Sequence, residues 1–271
     1  MLFCINSSMF SENLNIFEKI KIASVSGFDG IEMWHKEIKN ENLKDVKKCL
    51  NDFNIKPTTM IGLLGWFEID GELMDVKDDE KEIFDECKKR INAATEIGCP
   101  YIIAVPAFSH RNHFASWQEG LDRYKKILKL GISMGCTPTM EFIGQSYQIN
   151  NFFDCKKFLQ DLHQDATMVI DSYHLWRSGG SMDDFRDYDK NKISVFHISD
   201  ADKNIERTKH RDRDRVLPLD GRLDLNLFAN TIKNISYNGF INIGVYNRYL
   251  WKLDQLEMAK NSLEKMKKIF D

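Results

Sequence analysis

Residue types that bind metal ions stand at the ends of three short apolar segments. The segments TPTMEFIG, MVIDSYHLW and SVFHISD each have the composition of a buried strand that runs into a loop, and they carry Glu141, Asp171 and His197. Carboxylates and imidazole together suit divalent ions such as Mn, Mg, Co or Zn. In a fourth segment of this kind, INIGVYN, the corresponding position is Gly244, which has no side chain to offer. The pattern predicts a metal site that lacks one ligand.

The alternation of side chains along a strand gives these positions a common direction. Successive side chains point to opposite faces of a strand, so the residues beside the three candidate ligands must face the other way. Those neighbours are large and apolar, as a layer facing helices requires: Phe142, Ile170 and Phe196. The same parity turns Asn242 and Gly244 inward. We therefore expect the candidate ligands and the glycine to face one shared interior.

The elements that would carry these residues alternate between strands and helices. Eight short apolar runs are strand candidates: LFCIN, DGIEMW, KPTTMIGLL, YIIAVPA, TPTMEFI, TMVIDSY, ISVFHIS and INIGVY. Between them lie amphipathic stretches whose apolar residues recur three and four apart, and several of these end in Gly, a common helix stop. Eight strands, each followed by a helix, predict an α/β fold, a single-domain (β/α)8 TIM barrel over residues 1–271. A doubly wound open sheet shares the alternation, but its G-x-G-x-x-G turn is missing.

Composition limits the class of partner. The formal net charge is −3, from 38 Lys and Arg against 41 Asp and Glu, and no basic tract is present. Nucleic acid and an acidic membrane surface are therefore not expected as partners, and a small sugar-like molecule fits better.

No apolar stretch is long enough to span a bilayer and the six cysteines lack CxxC spacing, which predicts a cytoplasmic protein with reduced thiols. The sequence is compatible with a homo-oligomer and does not specify the oligomeric state.

Six segments, in order along the chain, carry a resemblance to a known family. They are GFDGIEMW, MEFIG, DSYHLWRSGG, VFHISDAD, DRVLPLDGRLDL and GFINIGVYNRYLW. The chain resembles the sugar phosphate isomerase/epimerase group of xylose isomerase-like TIM barrels over nearly its whole length. The resemblance implies that Glu141, Asp171 and His197 match three of the family's four ligands for a divalent metal. It also implies that Gly244 stands where the fourth ligand, a glutamate, is usual.

A second departure from the family lies in the segment DRVLPLDG. Leu219 stands where the family's loop generally has Gly. A side chain at this turn would be expected to reshape the loop that carries Arg215 and Asp220.

The resemblance also implies a reaction. Moving a proton at the carbon beside a carbonyl needs an electrophile, which a metal supplies, and a base, which a carboxylate at a strand end supplies. Glu141 is the base that remains, and His174, three residues after Asp171, is the second acid/base candidate. Without a carboxylate at 244, a same-face aldose-ketose isomerisation or a dehydration is easier to support than a two-base epimerisation. We predict a metal-assisted isomerase/epimerase-like enzyme of carbohydrate metabolism, acting on a small polyhydroxylated carbonyl compound, a sugar or sugar phosphate.

Other residues are candidates for the same site. Glu32 and His35 follow the second strand, where they would contact substrate or form a surface pair. Arg215 is placed to clamp a phosphate or carboxylate. Asp200, three residues after His197, would orient that imidazole or cap the next segment.

Three alternatives come from other functional classes. A dehydratase of the inosose or dehydroshikimate type shares the ligand set. A sugar-binding barrel without turnover is consistent with Gly244. A DNA-repair endonuclease of the same superfamily is disfavoured, because RDRDR contains no Asp-x-His and the net charge is negative. His110 and His113, after the fourth strand, are predicted to lie in a solvated loop.

Overall fold

Eight parallel strands form a closed barrel. The computed structural model describes residues 1–63, 68–69, 72–73, 80–106, 116–162 and 165–271; the predicted loop histidines His110 and His113 lie outside them. The barrel strands are β1 Leu2–Asn6, β2 Gly30–Trp34, β3 Lys56–Leu63, β4 Tyr101–Ala104, β5 Thr137–Glu141, β6 Thr167–Asp171, β7 Ile193–Ile198 and β8 Phe240–Ile243. They pair in the order β1-β8-β7-β6-β5-β4-β3-β2, and β2 closes the ring on β1. The predicted TIM barrel is confirmed.

Helices cover the outside of the barrel. They are α1 Ile16–Val25, α2 His35–Ile38, α3 Leu43–Asp52, α4 Glu80–Ile97, α5 Trp117–Met134, α6 Phe152–Gln160, α7 Ser172–Ser178, α8 Leu225–Asn234 and α9 Gln255–Phe270. Local sequence sets several ends. Asn15 and Glu18 form a reciprocal capping box at α1, which satisfies backbone N–H groups that the first turn leaves without partners. Gly135 ends α5 in the left-handed conformation, with φ 85°. Within the described residues, no helix is long and apolar enough to cross a membrane.

Side-chain parity in the strands is as the sequence predicts. The outward residues Phe142, Ile170 and Phe196 are fully buried in the layer between strands and helices. A separate apolar cluster fills the barrel interior: Ile61, Ile103, Val105, Ile143, Val169 and Val195. Val169 and Val195 each stand two residues before a candidate ligand and share its inward direction. The site therefore rests on a dry apolar floor at the carboxyl ends of the strands.

The loop after β7 is fixed to the barrel by one carboxylate. Asp200 accepts hydrogen bonds from the backbone N–H groups of Ala201 at 2.8 Å, Gly221 at 3.0 Å and Leu223 at 2.9 Å. Within this loop Leu219 has φ 72°. That is the left-handed conformation a glycine takes easily and a leucine adopts at a cost of roughly 1–2 kcal/mol. The turn thus keeps a glycine-like backbone despite its side chain, whereas a reshaped loop was expected.

Candidate metal centre and active site

Three buried side chains bring their donor atoms together at the barrel mouth. Glu141, Asp171 and His174 each offer one ligand atom, and these atoms all lie within 4.8 Å of one another. Glu141 ends β5 and Asp171 ends β6. Asp171 also caps α7, because its Oδ1 accepts the backbone N–H of Tyr173 at 2.7 Å. This cap starts a helix directly at the strand end and turns His174 back toward the mouth.

His197 lies beside this cluster. Its Nδ1 is 3.0 Å from Oε1 of Glu141 and 3.9 Å from Oδ2 of Asp171. The structure therefore brings the three predicted ligands together and adds His174, which was expected as an acid/base group. Roles for all four residues remain predictions.

Glu32 is the partner of His197 on the far side of the imidazole. It is fully buried, and its Oε2 lies 2.9 Å from Nε2 of His197. The Glu32 carboxylate also accepts hydrogen bonds from Asn6, Thr59 and Asn242. Every one of these contacts is internal. Glu32 thus supports His197 from behind, and the substrate contact suggested by its place near the end of β2 stays a prediction.

The orientation of His197 tests whether this site fits a metal ion. In the neutral tautomer that donates Nε2–H to Glu32, the Nδ1 lone pair faces the Glu141 carboxylate at 3.0 Å. Two acceptors this close need a positive charge between them, either a proton or a cation. A carboxylate that holds one imidazole nitrogen while the other faces a metal is the usual support of a metal-bound histidine. The residues present therefore fit a divalent ion.

Buried charges shift the titration of these groups. Burial disfavours the charged form of His197, but the carboxylates of Glu32 and Glu141 outweigh it and raise the pKa of His197 well above its ordinary value. For Asp171, burial is again the largest influence, yet Arg215 and the neighbouring imidazoles lower its pKa. Burial lowers the pKa of His174 and leaves this imidazole neutral. The lowered pKa of Asp171 favours its ionised carboxylate, the form in which it would hold a metal ion.

Arg215 is embedded in the site. Its side chain is 1% exposed, and its guanidinium donates to Oδ2 of Asp171 at 2.7 Å and to Oδ1 of Asp212 at 2.7 Å. It also stacks on the ring of Tyr173, 4.1 Å from the ring centroid. The predicted clamp for a substrate phosphate or carboxylate needs correction, because two carboxylates of the protein already neutralise this cation.

His174 lies between two hydrogen-bond donors. Its Nδ1 faces the backbone N–H of Gly144 at 3.2 Å, and its Nε2 faces the guanidinium of Arg215 at 3.0 Å. A neutral imidazole accepts at one nitrogen and donates at the other. Because both partners are donors, a neutral His174 accepts a hydrogen bond from only one of them.

Two further predictions concern Asp200 and His35. Asp200 binds the backbone of its own loop, and the carboxylates hydrogen-bonded to His197 are Glu32 and Glu141. The predicted orienting role of Asp200 is therefore corrected, since its oxygens are used to hold the loop that carries Arg215. His35 begins α2 directly after β2 and lies half-buried beside Gly62; its contact with substrate stays a prediction.

Position 244 has room for a side chain. Among the described residues, a Cβ placed on Gly244 would meet only Asn6 within 4 Å, at 3.8 Å from Cβ and 4.0 Å from Nδ2. Both are ordinary van der Waals distances. The glycine is thus not required by packing, and the space it leaves adjoins the site.

Sequence reasoning missed two residues of the mouth. Asp212, the second carboxylate on Arg215, was not among the residues expected at the site. Tyr246 follows Gly244 by two residues, and Arg215 lies 5.3 Å from its ring centroid. The inward parity of Asn242 and Gly244 was the signal that could have identified it.

A family assignment follows from the sequence and agrees with this geometry. The profile of the xylose isomerase-like TIM barrel family matches residues 20–269. The chain belongs to this family.

Relatives extend over almost the whole chain. An inosose isomerase of Bacillus licheniformis is 25% identical over 276 residues, covering 97% of this chain and 96% of that protein. An inosose isomerase of Bacillus velezensis is 22% identical and covers 97% and 95%. The solved structure of the IOLI protein with a binding zinc atom has a TM-score of 0.87 at 22% identity, covering 100% of this chain and 98% of that one, which shows a shared fold.

These similarities bear on the predictions made from sequence. The predicted resemblance is confirmed, and so is the prediction of an enzyme related to isomerases. A divalent metal is supported by the cluster of Glu141, Asp171 and His174. The identity of the metal and the substrate are matters of proposal.

Proposed function

We propose that the protein is a divalent-metal-assisted isomerase of a small neutral polyhydroxylated ketone of the inosose type. The observation that carries the proposal is the buried cluster of Glu141, Asp171 and His174 with His197 at its side. It lies at the carboxyl ends of the strands, where TIM barrels carry their chemistry. Relatives named as inosose isomerases support the substrate class.

The metal would be held on one side of the mouth. Glu141, Asp171 and His197 are the proposed ligands, with His174 next to them. When bound, the ion supplies an electrophile for the substrate's carbonyl and hydroxyl oxygens. Because position 244 contributes no ligand, the protein would hold the ion with two carboxylates and one imidazole, and the affinity for metal would be lower than with three carboxylates.

The protein's own groups would then move the proton. Glu141 takes the hydrogen from the carbon next to the carbonyl, since it is a carboxylate placed at the mouth. Glu32 keeps Nε2 of His197 occupied and so fixes the ring. The guanidinium of Arg215 likewise fixes the Asp171 carboxylate, through a hydrogen bond of 2.7 Å to its Oδ2. The apolar floor beneath them limits water, which strengthens these charged interactions.

Charge argues for a neutral substrate. The buried carboxylates Glu32, Glu141 and Asp171 have ion pairs, among the described residues, with His197 and Arg215. Arg215 is shared with a further carboxylate, Asp212. Even with the proposed divalent ion in place, these four carboxylates outnumber the positive charges of the ion and Arg215, so a phosphate or carboxylate on the substrate would enter a region of net negative charge. This disfavours sugar phosphates and dehydroshikimate relative to uncharged inososes.

The test is a matched substrate panel with the purified protein supplied with Mn²⁺ or Zn²⁺. Neutral inososes, ketose phosphates and 3-dehydroshikimate are compared, and products are identified by NMR. We expect conversion of an inosose into an isomeric inosose, with no loss of water. A dehydrated product would indicate an inosose dehydratase instead. Preference for an anionic compound would contradict the charge argument, and binding of inosose without any reaction would favour a non-catalytic barrel.

A further inference from the structure

Tyr246 stands at the mouth of the barrel on the side where the carboxylate is missing. It follows β8 and is half-buried. Its ring packs edge-on against Trp34, with centroids 5.9 Å apart, and Arg215 lies 5.3 Å from its ring centroid. Its hydroxyl lies 3.4 Å from Nδ2 of Asn6. These contacts come from the ends of β1 and β2 and from the loop after β7, so the phenol reaches over the mouth.

The hydroxyl of Tyr246 and position 244 share one neighbour. A Cβ on Gly244 would lie 4.0 Å from Nδ2 of Asn6, the same atom that lies 3.4 Å from the phenol oxygen. A side chain starting at 244 and the existing phenol therefore border the same small region. In this chain the region contains a hydroxyl group where an acid or base on the second face of a substrate would be needed.

The barrel order separates this hydroxyl from Glu141. Glu141 ends β5, and Tyr246 follows β8, with β6 and β7 between them in the ring. Three of the eight strand intervals separate the two groups, so they approach the mouth from different sides. A substrate lying between them would present one face to the carboxylate and the other to the phenol.

We propose that Tyr246 is a catalytic residue, the proton donor on the substrate face opposite Glu141. This rests on the proposed isomerase function and deepens it. Glu141 takes a proton from the carbon beside the carbonyl, and the electron pair of the broken C–H bond forms an enediolate. The O–H bond of Tyr246 then breaks, its proton forms a new C–H bond on the former carbonyl carbon, and the remaining hydroxyl proton passes between the two oxygens. The carboxylic acid and the phenolate return to their starting states by proton exchange with water.

The surroundings of the phenol agree with an acid. Burial raises the pKa of Tyr246, and the charge of Glu32 raises it further, while Arg215 opposes them. The group therefore carries its proton at neutral pH. The guanidinium of Arg215, 5.3 Å from the ring centroid, only partly offsets the burial that disfavours the phenolate.

The experiment compares Tyr246→Phe with wild type in D₂O, using an inosose that wild type converts. Phenylalanine keeps the ring packing on Trp34 and removes only the hydroxyl group. The matched control is Tyr249→Phe, a residue of the same loop that is 64% exposed. Two rates are measured by NMR: net conversion to the isomer, and exchange of the substrate hydrogen next to the carbonyl. Thermal unfolding of each variant is recorded alongside.

The expected result is a separation of the two rates. In Tyr246→Phe net conversion falls at least about a hundredfold, the usual scale for loss of an acid or base, while exchange in the unconverted substrate continues because Glu141 still removes the hydrogen. Tyr249→Phe behaves as wild type. Conversion within a few-fold of wild type in Tyr246→Phe would overturn the assignment, and so would an equal fall of conversion and exchange. If wild type converts no inosose, the proposed function itself fails, and this inference with it.

Discussion

The two sides of the barrel mouth differ in charge. The side formed by β5, β6 and β7 carries ionisable groups that bind one another: Glu141, Asp171, His174 and His197, with Arg215 inserted from the following loop. The side formed by β8, β1 and β2 presents an amide, a phenol, an indole and a glycine to the mouth: Asn6, Tyr246, Trp34 and Gly244. Glu32 lies on β2, on the second side, but its carboxylate contacts His197 on the first side.

This difference indicates that the two sides contact different groups, the metal ion on one side and the substrate hydroxyl groups on the other. The ionic side is closed by internal ion pairs and fits an ion and a base. The neutral side has room next to Gly244 and hydrogen-bonding groups without net charge, which suits the hydroxyl groups of a polyol. A mouth with carboxylates on both sides would hold a metal more tightly but leave less space and more negative charge near the substrate. The predictions below alter one side at a time.

The largest effect is expected from the base on the ionic side. Glu141→Gln keeps the shape of the side chain but removes its charge and its basicity. Turnover of the inosose should fall at least about a hundredfold, and hydrogen exchange beside the carbonyl should stop with it. Stopped-assay NMR in D₂O measures both. If the variant keeps its exchange rate, another group abstracts the hydrogen and the role of Glu141 is wrong.

The second prediction tests the carboxylate behind His197. Glu32→Gln weakens the bond that fixes the imidazole, so affinity for Mn²⁺ or Zn²⁺ should fall about 10–100-fold. Calorimetry on wild type and variant measures the change. Glu264→Gln, which alters an exposed glutamate paired with Lys268, is the control and should bind metal normally. Equal affinity in wild type and Glu32→Gln would show that His197 needs no support from the neutral side.

The third prediction makes the two sides more alike. Gly244→Glu adds a carboxylate where a Cβ meets only Asn6 at ordinary distances. Metal affinity should rise at least about tenfold, because the ion gains an oxygen ligand and a negative charge. Gly244→Ala supplies the Cβ without the ligand and should leave affinity unchanged. An identical affinity for the two variants would mean that position 244 does not face the ion.

The smallest effect concerns the loop that brings Arg215 to the ionic side. At Leu219, where φ is 72°, Leu219→Gly should unfold at higher denaturant concentration than Leu219→Ala. Glycine accepts the left-handed conformation, so we expect a difference of about 1 kcal/mol in its favour. Alanine is the more stable of the two at most other positions. If Leu219→Ala is instead the more stable of the two variants, the turn leaves the left-handed conformation when leucine is removed.

The sequence predicted the fold and the ionic side well. Short apolar runs identified the strands, and side-chain parity placed Glu141, Asp171 and His197 inward, because both signals are local. Partners across the barrel were not predictable in the same way. Glu32 and His197 are far apart in sequence and meet only because the ring closes with a given stagger.

The loops show the same limit. Arg215 was correctly placed at the mouth, but its bonds to Asp171 and Asp212 depend on how the loop folds back. The run of alternating charges around it is typical of a solvated surface, and composition alone does not distinguish that case from a buried ion pair. Leu219 was expected to reshape the loop. Instead, the three backbone N–H groups bound by Asp200 hold a turn in which leucine takes a glycine-like conformation.

The most direct test of the central claim is a calorimetric titration of Mn²⁺ into the metal-free protein, with Asp171→Asn measured in parallel. Oδ2 of Asp171 lies 3.9 Å from Nδ1 of His197, and in the proposed site both atoms face the same ion. Wild type should bind one ion per chain, and Asp171→Asn should bind at least about tenfold more weakly, since it loses a charged oxygen ligand. Failure of wild type to bind Mn²⁺ or Zn²⁺, or an affinity that Asp171→Asn leaves unchanged, would contradict a metal centre on the ionic side.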